Sequence, residues 1–270
     1  MAEALDPPFD RPDRDFNSLP GWTWVGTYGG HYLQCDLLGS FEHAFFTRQW
    51  QGRGPEVLAG YVSAGVSVHR LRQVHSAVVL PASQATAEPW PEADGLVSDG
   101  GGQCLWACGA DCTPVLIADP VSGRVATCHA GWRGVAGGIL AAAVQQLQAS
   151  GSRAAELLVA LGPAISGSCY QVERAVSEQV AAALAPNEPE HLPDLLEALR
   201  CCGALQDDPD PQRDRLDIRA AARRQLENLG VATERIAICP LCTATEPLLF
   251  HSWRRDQVKA VQWSGIVSQT

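Results

Sequence analysis

Basic residues are scarce in this chain: 20 lysines and arginines stand against 30 aspartates and glutamates, a formal net charge of −10. General binders of nucleic acid or anionic membrane rely on surplus Lys and Arg, so both partner classes are excluded, although a local basic cluster can still hold one small anion. The opening MAEALDPPFDRPD lacks the basic start and apolar core of a signal peptide. A cytoplasmic protein with its ten cysteines reduced is therefore expected. No run is apolar enough for a membrane span; the charge-poor stretch after Gly134 is rich in Ala and Gly, includes Gln145 and Gln146, and reads as a core helix. Internal repeats are also absent. The 270 residues suffice to bury a substantial core without staples. They are read as one domain over residues 21–270 after a proline-rich, poorly ordered lead-in at 1–20.

The most informative stretch is CLWACGADCTPVLIADPVSGRVATCHAGWRGVAGG (104–138). Apolar runs at 114–118 and 124–128 are separated by Asp119, Pro120, Ser122 and Gly123, the signature of a β-hairpin. Such a hairpin brings Cys112 and His129 to one end. A small-residue helix over about 133–149 follows Gly131 and Gly134, so His129 is expected beside a helix N-terminus with unpaired N–H groups. Cys and His are ligands that zinc prefers, and they are equally a thiolate and its base. Their spacing does not choose between the two.

Around this hairpin, residues 23–38 read as a second hairpin about Gly29 and Gly30, and 41–49 as a strand ending in Thr47 and Arg48. Residues 50–60 read as a loop, 66–80 as paired short strands with His75 near a strand end, and Asp94–Gly95 as a turn. Residues 156–165 form a strand running into a Gly162–Pro163 turn. The apolar spacing of Val172, Ala175, Val176, Val180 and Ala183 predicts a helix over 171–185, and a short helix follows near 193–200. DDPDPQRD (207–214) is an exposed loop. Asp217 is the expected N-cap of a helix through Leu229, with Gly230 past its end. Strands joined by hairpins and interleaved with helices predict an α+β fold, a mixed α/β sandwich with mixed sheets.

Several separated segments resemble the YfiH family, also called peptidoglycan editing factors or laccase-domain proteins. They are HAFFTR (43–48), RQVHS (72–76), EADGLVSD (92–99), GADCTPVLIADP (109–120), CHAGWRG (128–134), LGPAISGSCYQV (161–172), LDIRAAARRQLENLGV (216–231) and FHSWRRD (250–256), in the family's order. The resemblance implies a fold similar to Cys-His hydrolase domains of the CNF/YfiH-like type. It supplies a third ligand, so that His75, Cys112 and His129 are the implied zinc ligands and catalytic centre. Family members carry a longer Gly-rich stretch and a helix after the FTR segment; here only about two dozen residues bridge Arg48 and Gln73.

The activity implied is phosphorolysis of adenosine, inosine and S-methyl-5′-thioadenosine, with deamination of adenosine, by a monomer acting on small molecules. Arg48 and Arg133 are candidates for holding phosphate. Asp94 and Asp111 are candidates for orienting a histidine or acting as acid or base. Arg254, Arg255 and Asp256 would hold the C-terminal segment against the site. The alternative is an amidase that removes L-serine from UDP-MurNAc-L-Ser by zinc or Cys-His chemistry. The laccase name suggests copper oxidation of phenols, which the residues disfavour: none of the seven histidines (31, 43, 69, 75, 129, 191, 251) forms a His-x-His pair, and Met1 is the sole methionine. Copper could still substitute for zinc in the His/Cys site. Cys239 and Cys242 form a lone CxxC that, with Cys201 and Cys202, could make four thiolates; no second metal is expected there.

Overall fold

The structure, a computed structural model, describes residues 19–185 and 191–269. Most of the anticipated lead-in lies outside them. In chain order the strands and helices are β1 (Trp22–Thr27), β2 (Gly30–Cys35), β3 (His43–Phe46), α1 (Pro55–Val62), β4 (Ser67–His69), β5 (Val79–Pro81), β6 (Gly95–Val97), β7 (Gln103–Gly109), β8 (Thr113–Ala118), β9 (Val125–Ala130), α2 (Trp132–Ala136), α3 (Ile139–Ala149), β10 (Leu158–Leu161), β11 (Gln171–Glu173), α4 (Arg174–Ala182), α5 (Leu192–Cys201), β12 (Leu205–Asp207), β13 (Arg213–Leu216), α6 (Ile218–Asn228), β14 (Ile236–Ile238), α7 (Trp253–Asp256) and β15 (Gln262–Val267). One six-stranded sheet runs β1-β2-β3-β15-β7-β4, the other β14-β10-β8-β9-β6-β5, and β11-β13-β12 form a small third sheet. Both large sheets are mixed: β4 runs parallel to β7, β5 to β6 and β10 to β14, while the other pairs are antiparallel.

The layers follow from the period of two along each strand. In β8, Leu116 and Ala118 face the core between the two large sheets, while Val115 and Ile117 face the core under the helices. In β3 and β7, Phe45 and Leu105 point into the inter-sheet core, and Phe46 and Trp106 pack outward against Trp50 and Leu58 of the segment carrying α1. Each such fully buried side chain contributes about 2 kcal/mol. The resulting order is helix, sheet, sheet, helices, the α+β sandwich that the pattern predicted. Among the described residues no helix is long and apolar enough to cross a membrane.

Several local expectations are corrected. Residues 55–62 are a helix and not a loop: Pro55 at its first turn has no N–H to lose, and Leu58 and Ala59 are buried. The strands in 66–80 do not pair with each other; β4 joins β7 and β5 joins β6, in different sheets. Gly95 opens a strand rather than a turn. The helix expected over 133–149 is two helices, broken where Gly138 takes φ 82. Val172 belongs to β11, so the amphipathic helix begins only at Arg174. The loop at 207–214 is the turn of the β12–β13 hairpin. Asp217 caps α6 as expected, accepting from Arg219 N and Ala220 N, and Gly230 takes φ 92 beyond its end.

Candidate metal centre

Cys112 and His129 meet because the β8–β9 register pairs Thr113 with Ala130 and Pro114 with His129. His75 arrives on the loop between β4 and β5. One ligand atom from each of the three lies within 4.8 Å of the others, with Cys112 Sγ 3.9 Å from His75 Nε2 and the two imidazole centroids 4.7 Å apart. Ligands on a tetrahedral ion at zinc distances span about 3.6 Å, so the donor set fits an ion of that size. His75 is exposed, Cys112 half-buried and His129 buried, so the group has a closed floor and an open mouth. Among the described residues it stands as a single group of this kind, whereas a multicopper centre needs several.

Asp94 builds the floor. Its carboxylate is buried and accepts five hydrogen bonds: His75 N (3.0 Å) and His129 Nδ1 (2.8 Å) on Oδ1, and Val74 N (3.2 Å), Ser76 N (2.6 Å) and Ser76 Oγ (2.8 Å) on Oδ2. Because a carboxylate only accepts, Nδ1 of His129 carries the proton and Nε2 is left to face Cys112. Burial would push the Asp94 carboxyl up, but the bonds from His129 and Ser76 hold it down to about 2. Burial likewise disfavours the Cys112 thiolate, and hydrogen bonds from His129 and His75 overcome this, lowering the thiol to about 6. His129, penalised by burial, is raised to about 9 by Asp94 and Cys112. The hydrogen bond between them thus favours the Cys112 thiolate and the protonated His129 imidazole together.

Two residues of the site occupy the left-handed region: His75 at φ 61 and Asp111 at φ 93. Each costs about 1–2 kcal/mol, offset by hydrogen bonds around it. The Asp94 carboxylate holds the N–H groups of residues 74–76. Gln73 anchors the same loop by bonding Cys108 N and O, at 2.8 and 2.7 Å. Asp111 uses its own carboxylate, accepting from Thr243 Oγ1 (2.6 Å) and Arg254 N (2.7 Å). Asp111 therefore ties the C-terminal segment to the Cys112 loop, and Asp94 alone of the two aspartates bonds a histidine of the group. Gly131 is required by close approach: a Cβ there would lie 2.8 Å from Cys112 Sγ and 3.3 Å from His75 Cδ2.

The remaining candidates divide. Arg48 is engaged away from the ligands, its guanidinium donating to Pro247 O and its backbone N–H to Leu249 O. Arg133 is exposed, two residues beyond Gly131, with its guanidinium 4.4 Å from the Trp132 ring centroid. The helix behind it is the five-residue α2, so the dipole of a long helix does not bear on His129. Arg254 is tied to Asp111 as described, while Arg255 pairs with Asp256 and donates to Thr243 O, which secures the C-terminal segment. Residue-by-residue reading missed the anchoring roles of Ser76 and Thr243, and missed Tyr170; Ser76 and Tyr170 lie inside family-like segments, which was the available signal for those two. All ten cysteines are free, and Cys239, Cys242, Cys201 and Cys202 do not form a ligand group.

A family model described as multi-copper polyphenol oxidoreductase laccase matches residues 56–268. A Synechocystis protein named purine nucleoside phosphorylase is 41% identical over 261 residues, covering 92% of this chain and 97% of its own length. The purine nucleoside phosphorylase YlmD of Geobacillus stearothermophilus is 36% identical over 176 residues, 65% of this chain and 59% of that one. The crystal structure of YlmD from the same species superposes with a TM-score of 0.77 at 25% identity, over 92% of this chain and 99% of the other. The Bacillus licheniformis hypothetical protein YfiH gives 0.74 at 25% identity, over 88% and 96%.

Proposed function

The chain belongs to the YfiH-like, laccase-domain family, and from that premise we propose that it is a zinc-dependent purine nucleoside phosphorylase. The observation that carries the reading is the convergence of His75, Cys112 and His129 at an open mouth, in a chain whose relatives bear that name. The proposed substrates are adenosine, inosine and S-methyl-5′-thioadenosine, with deamination of adenosine at the same place, in the cytoplasm and as a monomer. His75, Cys112 and His129 would hold the metal. Zinc bound there would supply Lewis acidity toward a substrate oxygen or water.

The chain's own groups prepare that chemistry. Hydrogen bonds from His129 and His75 favour the Cys112 thiolate, the form that binds a metal. Asp94 fixes the tautomer of His129 and the backbone of His75, so both imidazoles are aimed before any ligand arrives. In phosphorolysis an oxygen of the phosphate monoanion bonds to C1′ of the ribose as the bond from C1′ to N9 breaks. The electron pair leaves with the base, which takes up the proton that the phosphate gives up. Arg133, exposed beside Gly131, offers a cation to the phosphate.

Chromatography of adenosine incubated with zinc-loaded protein tests the reading. Adenine and ribose 1-phosphate are expected only when phosphate is present, inosine also without it, and neither product with Cys112→Ala. If zinc-loaded wild type yields neither product, the purine reading fails and release of serine from UDP-MurNAc-L-Ser becomes the activity to measure.

A further inference from the structure

The core beneath the helices is aliphatic; the aromatics packed on its edge are Trp132 and Tyr170. Each carries a guanidinium. Arg133 Cζ lies 4.4 Å from the Trp132 ring centroid, and Arg254 Cζ lies 4.8 Å from that of Tyr170. Both arginines are exposed, and among the described residues neither is paired with a carboxylate; the Arg254 side chain donates to Gln171 O at 3.0 Å. Arg215, Arg219 and Arg255, by contrast, are neutralised by Asp208, Asp217 and Asp256. Among the described residues Arg48, Arg53, Arg124 and Arg235 also donate only to carbonyls, so what sets Arg133 and Arg254 apart is where they stand.

Arg133 stands two residues beyond Gly131, whose backbone lies against Cys112 and His75, and Arg254 is fixed by its backbone N–H to the carboxylate of Asp111, the neighbour of Cys112. Arg254 Nη1 donates to the carbonyl of Gln171, the residue after Tyr170, so ring and guanidinium are held together beside the Asp111–Cys112 loop. A guanidinium stacked on a ring has its plane fixed, and the N–H groups that remain, which in Arg254 are those beyond the one given to Gln171 O, can donate to phosphate oxygens.

We infer that Arg254 on Tyr170 and Arg133 on Trp132 form the oxyanion subsite that receives inorganic phosphate beside His75, Cys112 and His129. The assignment of phosphate as co-substrate rests on the phosphorylase reading. Tyr170 and Trp132 act as positioning residues, and the arginines contact the anion.

Two measurements on the zinc-loaded full chain test this: the KM for phosphate at saturating nucleoside, and titration of inorganic phosphate by calorimetry, which needs no turnover. Arg254→Gln and Arg133→Gln should each raise the phosphate KM and the dissociation constant by about ten- to a hundredfold, the worth of a charge-assisted hydrogen bond, while the nucleoside KM and zinc content hold. Tyr170→Leu, which removes the platform and keeps Arg254, should weaken phosphate in the same direction, and Tyr170→Phe should weaken it less. Phosphorolysis with unchanged phosphate KM and affinity in both arginine variants would overturn the subsite and leave the phosphorylase reading intact. Phosphate binding that is lost in the variants of a protein without phosphorolysis would sustain the oxyanion site and sink the phosphorylase reading. If wild type binds no phosphate by either measurement, the subsite is wrong. Lysine variants, which keep the charge and lose the guanidinium plane, are read on the same scale if the glutamine variants do not fold.

Discussion

The two outer faces of the sandwich are built from different materials. On the face carrying α1, Tyr32, Phe46, Trp50 and Trp106 pack together, with Phe46 5.1 Å from Trp50 and 5.9 Å from Trp106 between ring centroids. On the face carrying α3, α4 and α6, the buried residues are aliphatic or small, and Trp132 and Tyr170 appear only at its partly buried edge. The aromatic face fills volume with few, large side chains and its rings are consumed in packing. The aliphatic face is closed by helices, which leaves the strand ends free for polar work. The His75, Cys112 and His129 group lies at such an end, with Asp94 buried where an apolar residue would ordinarily stand.

The contrast can be broken from either side. The largest stability effect is expected on the aromatic face: Trp106→Ala empties a fully buried ring and should cost about 4 kcal/mol in urea unfolding, yet zinc bound per folded molecule should not change. Lost zinc stoichiometry there would mean that the two faces are not independent. Asp94→Asn should cost less, about 2–3 kcal/mol, because the amide still accepts some of the five hydrogen bonds, but chelator competition should show zinc held about 10–100-fold more weakly. Equal zinc affinity would remove Asp94 from its positioning role.

The smallest effect belongs to Asp217, on the helix-covered side. Burial raises its carboxyl, but the charge of Arg219 and the hydrogen bonds at the helix start more than reverse this and leave it lowered. A depressed folded pKa contributes stability above the unfolded value of about 4, and that contribution is lost as pH falls through the folded value. Asp217→Asn, which can still cap the helix, should therefore cost about 1–2 kcal/mol at pH 7. The gap to wild type should close below about pH 4. A gap that persists in acid would assign the loss to the cap geometry instead of to the charge.

How much of this was legible in the sequence follows from the range of each interaction. The β8–β9 hairpin, the Asp217 cap and the end of α6 at Gly230 rest on neighbours a few residues apart, and local patterns suffice for them. The helix at 55–62 and strand β11 were not legible because their partners lie far along the chain, and β12 and β13 were hidden by the charged, proline-containing sequence of their hairpin. The site divides in the same way. Cys112 and His129 are brought together by one hairpin, whereas the resemblance had to supply His75, which reaches them through a loop held by Gln73 and Asp94.

By itself the sequence determined the charge balance, the mixed sandwich and the identity of the polar residues available for a centre. Tertiary structure alone decided which aspartate serves a histidine: Asp94 reaches His129, and Asp111 turns to Thr243 and Arg254. It also decided which arginines remain without a carboxylate. Both outcomes depend on contacts across dozens of residues, in a low-dielectric interior where one hydrogen bond settles a group's charge and orientation, and no local pattern in the chain encodes such a contact.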